Sequence, residues 1–376
     1  MVIQSNATMK VVFRVDASIQ MGTGHVMRCL TLADAFKKQG ADCHFICREH
    51  SGNLIGLITQ RGHHVDSLPY IDASQQLKQQ NYAIDLAHSS WLSATQEEDA
   101  NLCVPIVESL QPDWLIVDHY AIDILWEQEL RPFCQQLMVI DDLADRYHDC
   151  DMLLDQTYGR TSDVYRLLVP EQCQLFCGAQ FALLRPEFPL WHDYSIKRRE
   201  NGQLEHLLVN LGGVDKDNIT TQILKNLSKC LLPSSCYITV VMGATAPWIK
   251  DVQQQANEMP WITEVVVGIN NMAELMANSD LAIGAAGSTS WERCCLGLPT
   301  IMICMAKNQY VIAKDLHNLG AAISIQQKDI NKDLPNIVNH ISSSHLKNMQ
   351  CKALQVTEGL GVKILLSYIN SESHSC

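Results

Sequence analysis

The chain has 376 residues, long enough for two domains of ordinary size, and 47% of its residues are hydrophobic. A formal net charge of −13 argues against nucleic acid or an anionic membrane as a partner, but leaves room for a local positive cleft. No apolar run approaches the roughly 20 residues of a membrane-spanning helix, and the polar N-terminus lacks the apolar core of a signal peptide.

Cysteine usage predicts a reducing compartment. The 15 cysteines are odd in number, form no Cys-x-x-Cys pair, and many lie in apolar segments, as buried thiols do. We therefore expect a cytoplasmic protein without a structural zinc site. The adjacent histidines His63 and His64 could suggest a metal, but the sequence shows no evident third ligand. Both are predicted to be ordinary edge-strand residues.

The first half of the chain alternates predicted strands and helices. β-Branched and aromatic residues favour a strand that ends at Val15, and helical spacing favours a helix from Val26 to Gly40. A polar surface excursion over 71–103, with a helix reaching Ser109, interrupts this rhythm. The other predicted strands span 41–48, 62–68, 112–118, 137–140, 152–155 and 175–177, and the other helices span 54–61 and 123–134.

The second half repeats the alternation after a break. Prolines and charges over 187–203 predict an irregular linker between domains 1–186 and 204–376, and the terminal helix could cross back. The spacing predicts an α/β fold with two Rossmann-like, doubly wound parallel-sheet domains that face each other across a cleft. The predicted strands span 206–210, 236–242, 262–267, 281–284, 300–304 and 321–325, and the helices span 218–229, 247–258, 271–278, 291–296, 309–319 and most of 329–369.

A glycine-hinged loop before the first helix carries the first candidate site. Ligands bind at the carboxyl ends of strands in open α/β sheets, and His25 lies just past the first strand. Gly22 and Gly24 permit a positive φ and a close approach of the backbone to a ligand. Two interpretations stay open, an ordinary turn with a surface or capping histidine, or a phosphate-cradling loop with a catalytic one. The missing third glycine disfavours a dinucleotide fingerprint.

A second loop of small residues, at 284–290, precedes a predicted helix. Small residues let backbone N–H groups face an anion, and the helix dipole adds partial positive charge. Glu292 could bind a ribose diol or could be a favourable first-turn charge, and Ser288 could simply cap the helix. The amides of Asn308 and Gln309 could bind phosphate or sugar hydroxyls, or act as caps. In the second half of the chain, the residues predicted to bind ligand are Gly212, Gly213, Gly287, Ser288, Thr289, Glu292 and Gln309.

Six motifs taken together resemble one known family. They are RVDASxxxGxGHVMRCLTLA, VDHY, IDDLADRxHDCDxLLDQ, ALLRPEF, LGGVDKDN and GAAGSTSWERCCLGLP. The chain resembles the UDP-2,4-diacetamido-2,4,6-trideoxy-β-L-altropyranose hydrolases of the pseudaminic acid pathway from about Val11 to the last helix. This resemblance implies a GT-B fold, similar to that of the enzyme that adds GlcNAc to lipid II. It also implies cleavage of the anomeric C–O bond of a UDP-sugar with inversion, with water as acceptor and without a metal or other cofactor.

The same resemblance implies which residues act. His25 in the GHVMR motif would be the key catalytic residue, and Tyr120 and Asn308 would line the active site. The GSTSWE helix and the Gly-Gly loop would hold UDP. The polar stretch at 71–103 matches none of the family's motifs.

A mechanism follows from these residue types. UDP is already a good leaving group, so the acid that ordinary glycosidases need can be omitted. Backbone N–H groups near Gly287 can stabilise the departing charge. His25 is then predicted to act as general base on a water molecule at the opposite face of the sugar. Asp16 could orient its ring, although Asp118 could compete as the base.

Two further residues complete the predicted site, and two other functions stay open. Tyr120 could bind the acetamido groups of the sugar or position the water, and Arg28 is predicted to contact substrate together with Asp118. The alternatives are a GT-B glycosyltransferase with a UDP-sugar donor and a non-catalytic nucleotide-sugar binding protein. The expected partner is a small-molecule UDP-sugar, with neither nucleic acid nor membrane, and the protein could be a monomer.

Overall fold

The computed structural model describes residues 8–70, 86–306 and 309–372. The chain divides into two compact units, the first formed by 1–183 with 362–376 and the second by 184–361. The irregular linker predicted over 187–203 is wrong, because Glu187–Arg198 form a helix within the second unit. Pro186 is its N-cap and Pro189 lies in its first turn, where a proline is tolerated because first-turn N–H groups have no partner within the helix.

The first unit is built around a sheet of seven parallel strands in the order β3-β2-β1-β4-β5-β6-β7. Apolar side chains of the strands pack under helices on both faces of the sheet. The strands are β1 (Lys10–Val15), β2 (Asp42–Arg48), β3 (His64–Leu68), β4 (Trp114–Asp118), β5 (Gln136–Ile140), β6 (Met152–Asp155) and β7 (Gln174–Cys177), and the helices are α1 (Gly24–Lys38), α2 (Ile55–Gln60), α3 (Gln96–Leu110) and α4 (Ile124–Leu130).

The second unit holds a sheet of six parallel strands in the order β10-β9-β8-β11-β12-β13. Its strands are β8 (His206–Asn210), β9 (Tyr237–Met242), β10 (Thr263–Val267), β11 (Leu281–Ala285), β12 (Thr300–Cys304) and β13 (Ala322–Gln326). Its helices are α5 (Glu187–Arg198), α6 (Ile219–Leu227), α7 (Ile249–Asn257), α8 (Met272–Ala277), α9 (Thr289–Cys295), α10 (Tyr310–Leu319), α11 (Ile330–His340) and α12 (Ser343–Ala353).

The last helix, α13 (Gly361–Glu372), returns to the first unit. Its side chains Leu365, Leu366 and Ile369 are buried in the same core cluster as Val11 of β1 and Val26 of α1. The first unit is therefore assembled from two separate parts of the chain.

Each sheet contains one point where the direction of strand addition reverses. In the first unit β1 lies between β2 and β4, and in the second unit β8 lies between β9 and β11. At such a point the loops after the two central strands leave toward opposite faces and open a crevice at the carboxyl edge. These two points, between β1 and β4 and between β8 and β11, are where both predicted sites begin. The predicted doubly wound α/β fold is confirmed.

Three other expectations can be compared with the structure. Of the polar stretch 71–103, residues 71–85 lie outside the described residues, and α3 begins within it under a capping box of Thr95 and Glu98. The 14 cysteines in the described part of the chain are all free. Within that same part, none of the helices is both long enough and apolar enough to cross a membrane.

Candidate active site

The centre of the first unit's crevice is a contact between His25 and Asp118. Asp118 is the last residue of β4 and pairs in register with Val15, the last residue of β1. The chain leaves β1, turns, and enters α1 at Gly24, so His25 stands in the first turn of that helix. Its Nδ1 lies 2.6 Å from Oδ1 of Asp118, whose side chain is fully buried. The sheet edge thus brings together a histidine and a carboxylate that are 93 residues apart.

Arg28 fixes this carboxylate from one turn further along α1. Its Nε and Nη2 donate to the two oxygens of Asp118 at 2.6 and 2.7 Å, and its Nη1 donates to Asp142 at 2.6 Å. Burial alone would raise the pKa of Asp118, but the Arg28 guanidinium and the His25 ring lower it far below its usual value. Asp118 therefore stays ionised, and it is a poor candidate for the general base.

The same contact decides which nitrogen of His25 carries the proton. An ionised carboxylate can only accept, so Nδ1 is the donor to Asp118, and Nε2 is the nitrogen that faces away from this bond. Arg28 Nη2 lies 3.4 Å from the same Nδ1, which is too far to replace the 2.6 Å bond. The His25 residue retains 9% exposure, so it is not completely sealed from solvent.

Aromatic side chains surround the ring of His25. The Tyr120 ring meets it edge-on with 4.6 Å between centroids, and Trp91 stacks on Tyr120 at 5.7 Å. The ring of His88 packs on Trp91 at 4.3 Å, and burial lowers the pKa of His88. The Tyr120 hydroxyl donates to Asp142 at 2.7 Å, and burial raises the pKa of this phenol well above its ordinary value. Tyr120 therefore presents its ring to His25 while its hydroxyl is engaged.

Three backbone amides of the glycine-hinged loop are occupied by bonds within the loop itself. Gly22 has a φ of 79°, and its N–H donates to the carbonyl of Ser18 at 2.8 Å. The N–H groups of Gln20 and Met21 donate to the Ser18 hydroxyl at 3.2 and 3.0 Å. These three amides are used inside the loop, so the phosphate-cradling interpretation is wrong for them. Gly24 simply opens α1.

The predicted orientation of His25 by Asp16 is also wrong. Asp16 lies two residues beyond Arg14 and shares its face of the strand, so the two side chains meet, with 2.8 Å between Arg14 Nη1 and Asp16 Oδ2. Its Oδ1 accepts the backbone N–H of Arg48 at 2.6 Å. Burial opposes ionisation of Asp16, but the charge of Arg14 and contacts with His119 hold its pKa well below the usual range. Asp16 therefore anchors β1 to β2.

In the second unit, two loops leave the carboxyl ends of β8 and β11. Gly212 follows β8 with a φ of 92°, and the next residue, Gly213, packs so tightly that a Cβ added at Gly243 would lie 1.9 Å from its carbonyl oxygen. A Cβ added at Gly284 in β11 would lie 2.5 Å from Arg293 Nη1. Close approach therefore requires glycine at 243 and 284, although sequence reasoning assigned no role to Gly243.

A buried arginine supports the 284–290 loop. Arg293 Nη2 donates to the carbonyl of Ala285 at 2.7 Å and to the Ser290 hydroxyl at 3.2 Å, and Nη1 donates to Thr289 Oγ1 at 3.3 Å. Burial lowers the pKa of Arg293 to about 10, so the side chain is still charged at neutral pH. A cation thus stands directly behind a loop of small residues.

The remaining predicted residues of this unit have distinct settings. Ser288 precedes α9 but makes no side-chain capping bond, so the capping alternative is not realised, and Gly287 beside it is partly exposed. Glu292 lies 3.5 Å from Arg185, and burial nevertheless raises the pKa of its carboxyl. Gln309 accepts the N–H of Met305 at 3.0 Å. Asn308 lies outside the described residues.

Three residues near the site were not singled out from the sequence. Asp142 accepts from both Arg28 and Tyr120, and it follows β5, the strand next to β4, so the rule of carboxyl strand ends could have found it. His88 and Trp91 come from the polar stretch that matched no motif, and nothing in their spacing signals a contact with Tyr120.

Comparison with known proteins shows which proteins the chain is similar to. Residues 206–360 match the glycosyltransferase family 28 C-terminal domain. The chain is 28% identical to the UDP-2,4-diacetamido-2,4,6-trideoxy-beta-L-altropyranose hydrolase of Campylobacter jejuni, over 83% of this chain and 97% of that protein. It is 23% identical to a Helicobacter pylori protein named pseudaminic acid cytidylyltransferase and UDP-2,4-diacetamido-2,4,6-trideoxy-beta-L-altropyranose hydrolase, over 63% of this chain and 42% of that protein.

A solved structure gives the same fold. The crystal structure of Acinetobacter baumannii MurG superposes with a TM-score of 0.67 at 14% identity, covering 96% of this chain and 99% of that one. The resemblance to the altropyranose hydrolases predicted from the motifs is confirmed by the two named relatives. The chain therefore has the GT-B fold, with a second unit similar to the C-terminal domain of glycosyltransferase family 28.

Proposed function

We propose that this protein hydrolyses UDP-2,4-diacetamido-2,4,6-trideoxy-β-L-altropyranose to UDP and the free sugar. The observation that carries the proposal is the buried set of His25, Asp118 and Arg28 at the crevice between β1 and β4. It supplies an imidazole whose outer nitrogen can accept a proton and whose inner nitrogen is fixed. The names of the Campylobacter and Helicobacter relatives support the choice of substrate.

In this mechanism Nε2 of His25 takes a proton from water as the water oxygen attacks the anomeric carbon. The bond between that carbon and the oxygen of the diphosphate breaks, and its electron pair leaves with UDP. Attack from the face opposite the leaving group inverts the anomeric configuration. The proton resides on His25, where the ionised Asp118 stabilises the imidazolium without taking the proton itself.

Departure of UDP needs stabilisation of negative charge, which we assign to the second unit. Gly287, Ser288 and Thr289 are small and partly exposed, so their backbone N–H groups and the two hydroxyls are available to the diphosphate. The charged side chain of Arg293 lies behind this loop. Preorganised donors of this kind substitute for a protonating acid. Glu292 is assigned to the ribose diol, and Gly212 and Gly213 to the diphosphate. Gln309, whose side chain is held by Met305, and Asn308 are assigned to the sugar side.

The roles of Arg28 and Tyr120 change in this proposal. Arg28 was predicted to bind substrate, but its donors are directed at Asp118 and Asp142, so we make it a positioning residue. We assign to Tyr120 the apolar wall beside the attacking water, because its hydroxyl is bound to Asp142. The free cysteines support placing the protein in the cytoplasm.

A glycosyltransferase is the second candidate, because the family 28 match covers 206–360. Proton NMR of the purified protein with the UDP-sugar and no acceptor separates the two. Release of free sugar at a rate that is unchanged by added acceptors supports the hydrolase, and the first anomer seen reports inversion. Release that requires a sugar or lipid acceptor would make the protein a transferase.

A further inference from the structure

We propose that Asp42, His44 and His64 form a binding site for a divalent transition metal ion such as Zn²⁺. One ligand atom from each of the three side chains lies within 4.8 Å of the others. This cluster is the only such group of three potential ligands found in residues 8–70, 86–306 and 309–372. The site goes beyond the proposed hydrolysis and does not depend on it.

Strand register explains why these residues converge. His44 and His64 are direct partners in the parallel pairing of β2 with β3, and their rings stack with 4.8 Å between centroids. Asp42 lies two residues before His44 on the same strand, so both side chains project from the same face. His44 Nε2 already lies 3.0 Å from Asp42 Oδ2.

His63 does not belong to this cluster, although it is adjacent to His64 in the sequence. Neighbouring residues in a strand region point to opposite faces, so His63 and His64 cannot share a ligand. His63 is buried and its Nε2 lies 2.9 Å from Asp34. The ligands that accompany His64 come from β2 instead, about 20 residues earlier.

Two of the three residues of the cluster, His44 and His64, line a solvent-accessible groove. A groove of about 430 Å³ is lined by His44 and His64 together with Asp66 and residues of α3. His64 is exposed, whereas Asp42 and His44 are half-buried. Three protein ligands and an open groove leave room for water or a small anionic ligand to complete the coordination shell.

The types of ligand indicate which metal ions the site would bind. Two imidazoles with one carboxylate suit borderline ions such as Zn²⁺, Ni²⁺ and Cu²⁺, whereas Mg²⁺ and Ca²⁺ prefer an all-oxygen shell. The cluster lies toward the amino ends of β2 and β3, while His25 and Asp118 lie at the carboxyl edge of the same sheet. The metal would therefore bridge β2 to the edge strand β3 away from the reaction.

Calorimetric titration of the untagged full chain with ZnCl₂ tests the site, with MgCl₂ as the comparison ion. We expect one Zn²⁺ per chain and no Mg²⁺ binding. His64→Ala and Asp42→Asn should each weaken Zn²⁺ binding by about 10–100-fold or more, the loss seen even for residues that only support metal ligands. The matched control His340→Ala removes an exposed histidine elsewhere and should bind Zn²⁺ as the unmodified protein does.

The visible spectrum of the Co²⁺-loaded protein identifies the ligand type. Ligand-field bands without thiolate charge-transfer bands are expected, and the His64→Ala variant should lose them. Thiolate bands would assign the metal to a cysteine such as the exposed Cys351. Absence of Zn²⁺ binding, or equal affinity in His64→Ala, Asp42→Asn and the control, would overturn the proposal. Circular dichroism with EDTA confirms that both variants are folded, and either variant alone suffices for the comparison.

Discussion

Asp118 Oδ1 lies 2.6 Å from His25 Nδ1, so the carboxylate that ends β4 fixes the ring that begins α1. Asp118 ends one of the two strands that flank the reversal point of the first sheet, and His25 follows the other strand, in the first turn of α1. This relationship assigns the acceptor nitrogen of the proposed base. The residues around this contact have different roles, so each can be tested by its own substitution.

Replacing His25 with leucine should remove water activation. We expect kcat to fall by about 10²–10⁴-fold, the usual contribution of a general base, while UDP still binds to the second unit. NMR of sugar release gives the rate, and calorimetry gives the affinity for UDP. His340→Leu is the control for general effects of losing a histidine. A His25→Leu variant that keeps more than a tenth of its activity would exclude the imidazole from the mechanism.

Asp118→Asn should leave the shape of the site intact but remove the charge that holds Nδ1–H and Arg28. By analogy with the carboxylate of Ser-His-Asp sites, kcat should fall strongly, but by no more than in His25→Leu. Nitrogen-15 NMR should show that the His25 ring loses its single tautomer, a change that a purely structural role would not produce. Unchanged tautomer and unchanged kcat would mean that Asp118 only supports the fold.

Tyr120→Phe separates the ring from the hydroxyl. The ring contact with His25 remains, but the bond to the Asp142 carboxylate is lost. Hydrogen bonds to charged groups contribute about 1.5–3 kcal/mol, so urea unfolding should show a loss of that size. We expect kcat to fall much less than in Asp118→Asn. A loss of kcat with full stability would show that the hydroxyl meets the substrate.

Acid should destabilise the first unit through its buried carboxylates. Burial raises the pKa of Asp141, but the charges of Arg146 and His148 and the hydrogen bonds from Ala144 and Tyr165 together bring it to about 2, below the roughly 3.9 of an unfolded chain. A lowered pKa gives stability that is present above about pH 4 and is lost as the pH falls toward 2. The contribution is about 2–3 kcal/mol. Unfolding free energies between pH 7 and pH 2 should fall less steeply in Asp141→Asn.

Glu292→Ala tests the nucleotide assignment. If the carboxylate binds the ribose diol, UDP affinity should fall by about 10–100-fold, as expected for loss of charge-assisted hydrogen bonds. Calorimetry measures the affinity, and thermal unfolding checks the fold. Arg185→Met removes the 3.5 Å ionic neighbour but not the carboxylate, and serves as the comparison. Unaltered UDP binding in Glu292→Ala would leave Glu292 as an ordinary helix residue.

Most of the fold could be predicted because local pattern and parallel pairing agree. The strands at 152–155, 206–210 and 300–304 have the predicted bounds, since runs of buried apolar residues end at clear turn signals. The prediction of an irregular connector at 187–203 was wrong because its prolines lie where a helix begins and not where one ends. Proline is compatible with the first turn of a helix as well as with a break between elements, so the prolines alone do not decide between a helix and a linker.

The candidate site was less predictable for a different reason. His25 and Asp118 could be found because Asp118 ends a predicted strand and His25 lies just past another. Asp16 was predicted to orient His25 and Asp118 to compete as the base, but each carboxylate meets a different buried arginine, Arg14 for Asp16 and Arg28 for Asp118. That pairing arises from side-chain direction and strand neighbours, and neither is visible in the order of residues. The cluster of Asp42, His44 and His64 was missed for the same reason.

The return of α13 has a consequence for biosynthesis. During translation the segment 184–361 emerges as one continuous piece and can fold as a unit. The core of the first unit is incomplete until Leu365, Leu366 and Ile369 have been synthesised. The half that leaves the ribosome first is therefore completed last. Deleting α13 would therefore destabilise the unit that bears His25, whereas the unit assigned to the nucleotide would remain folded.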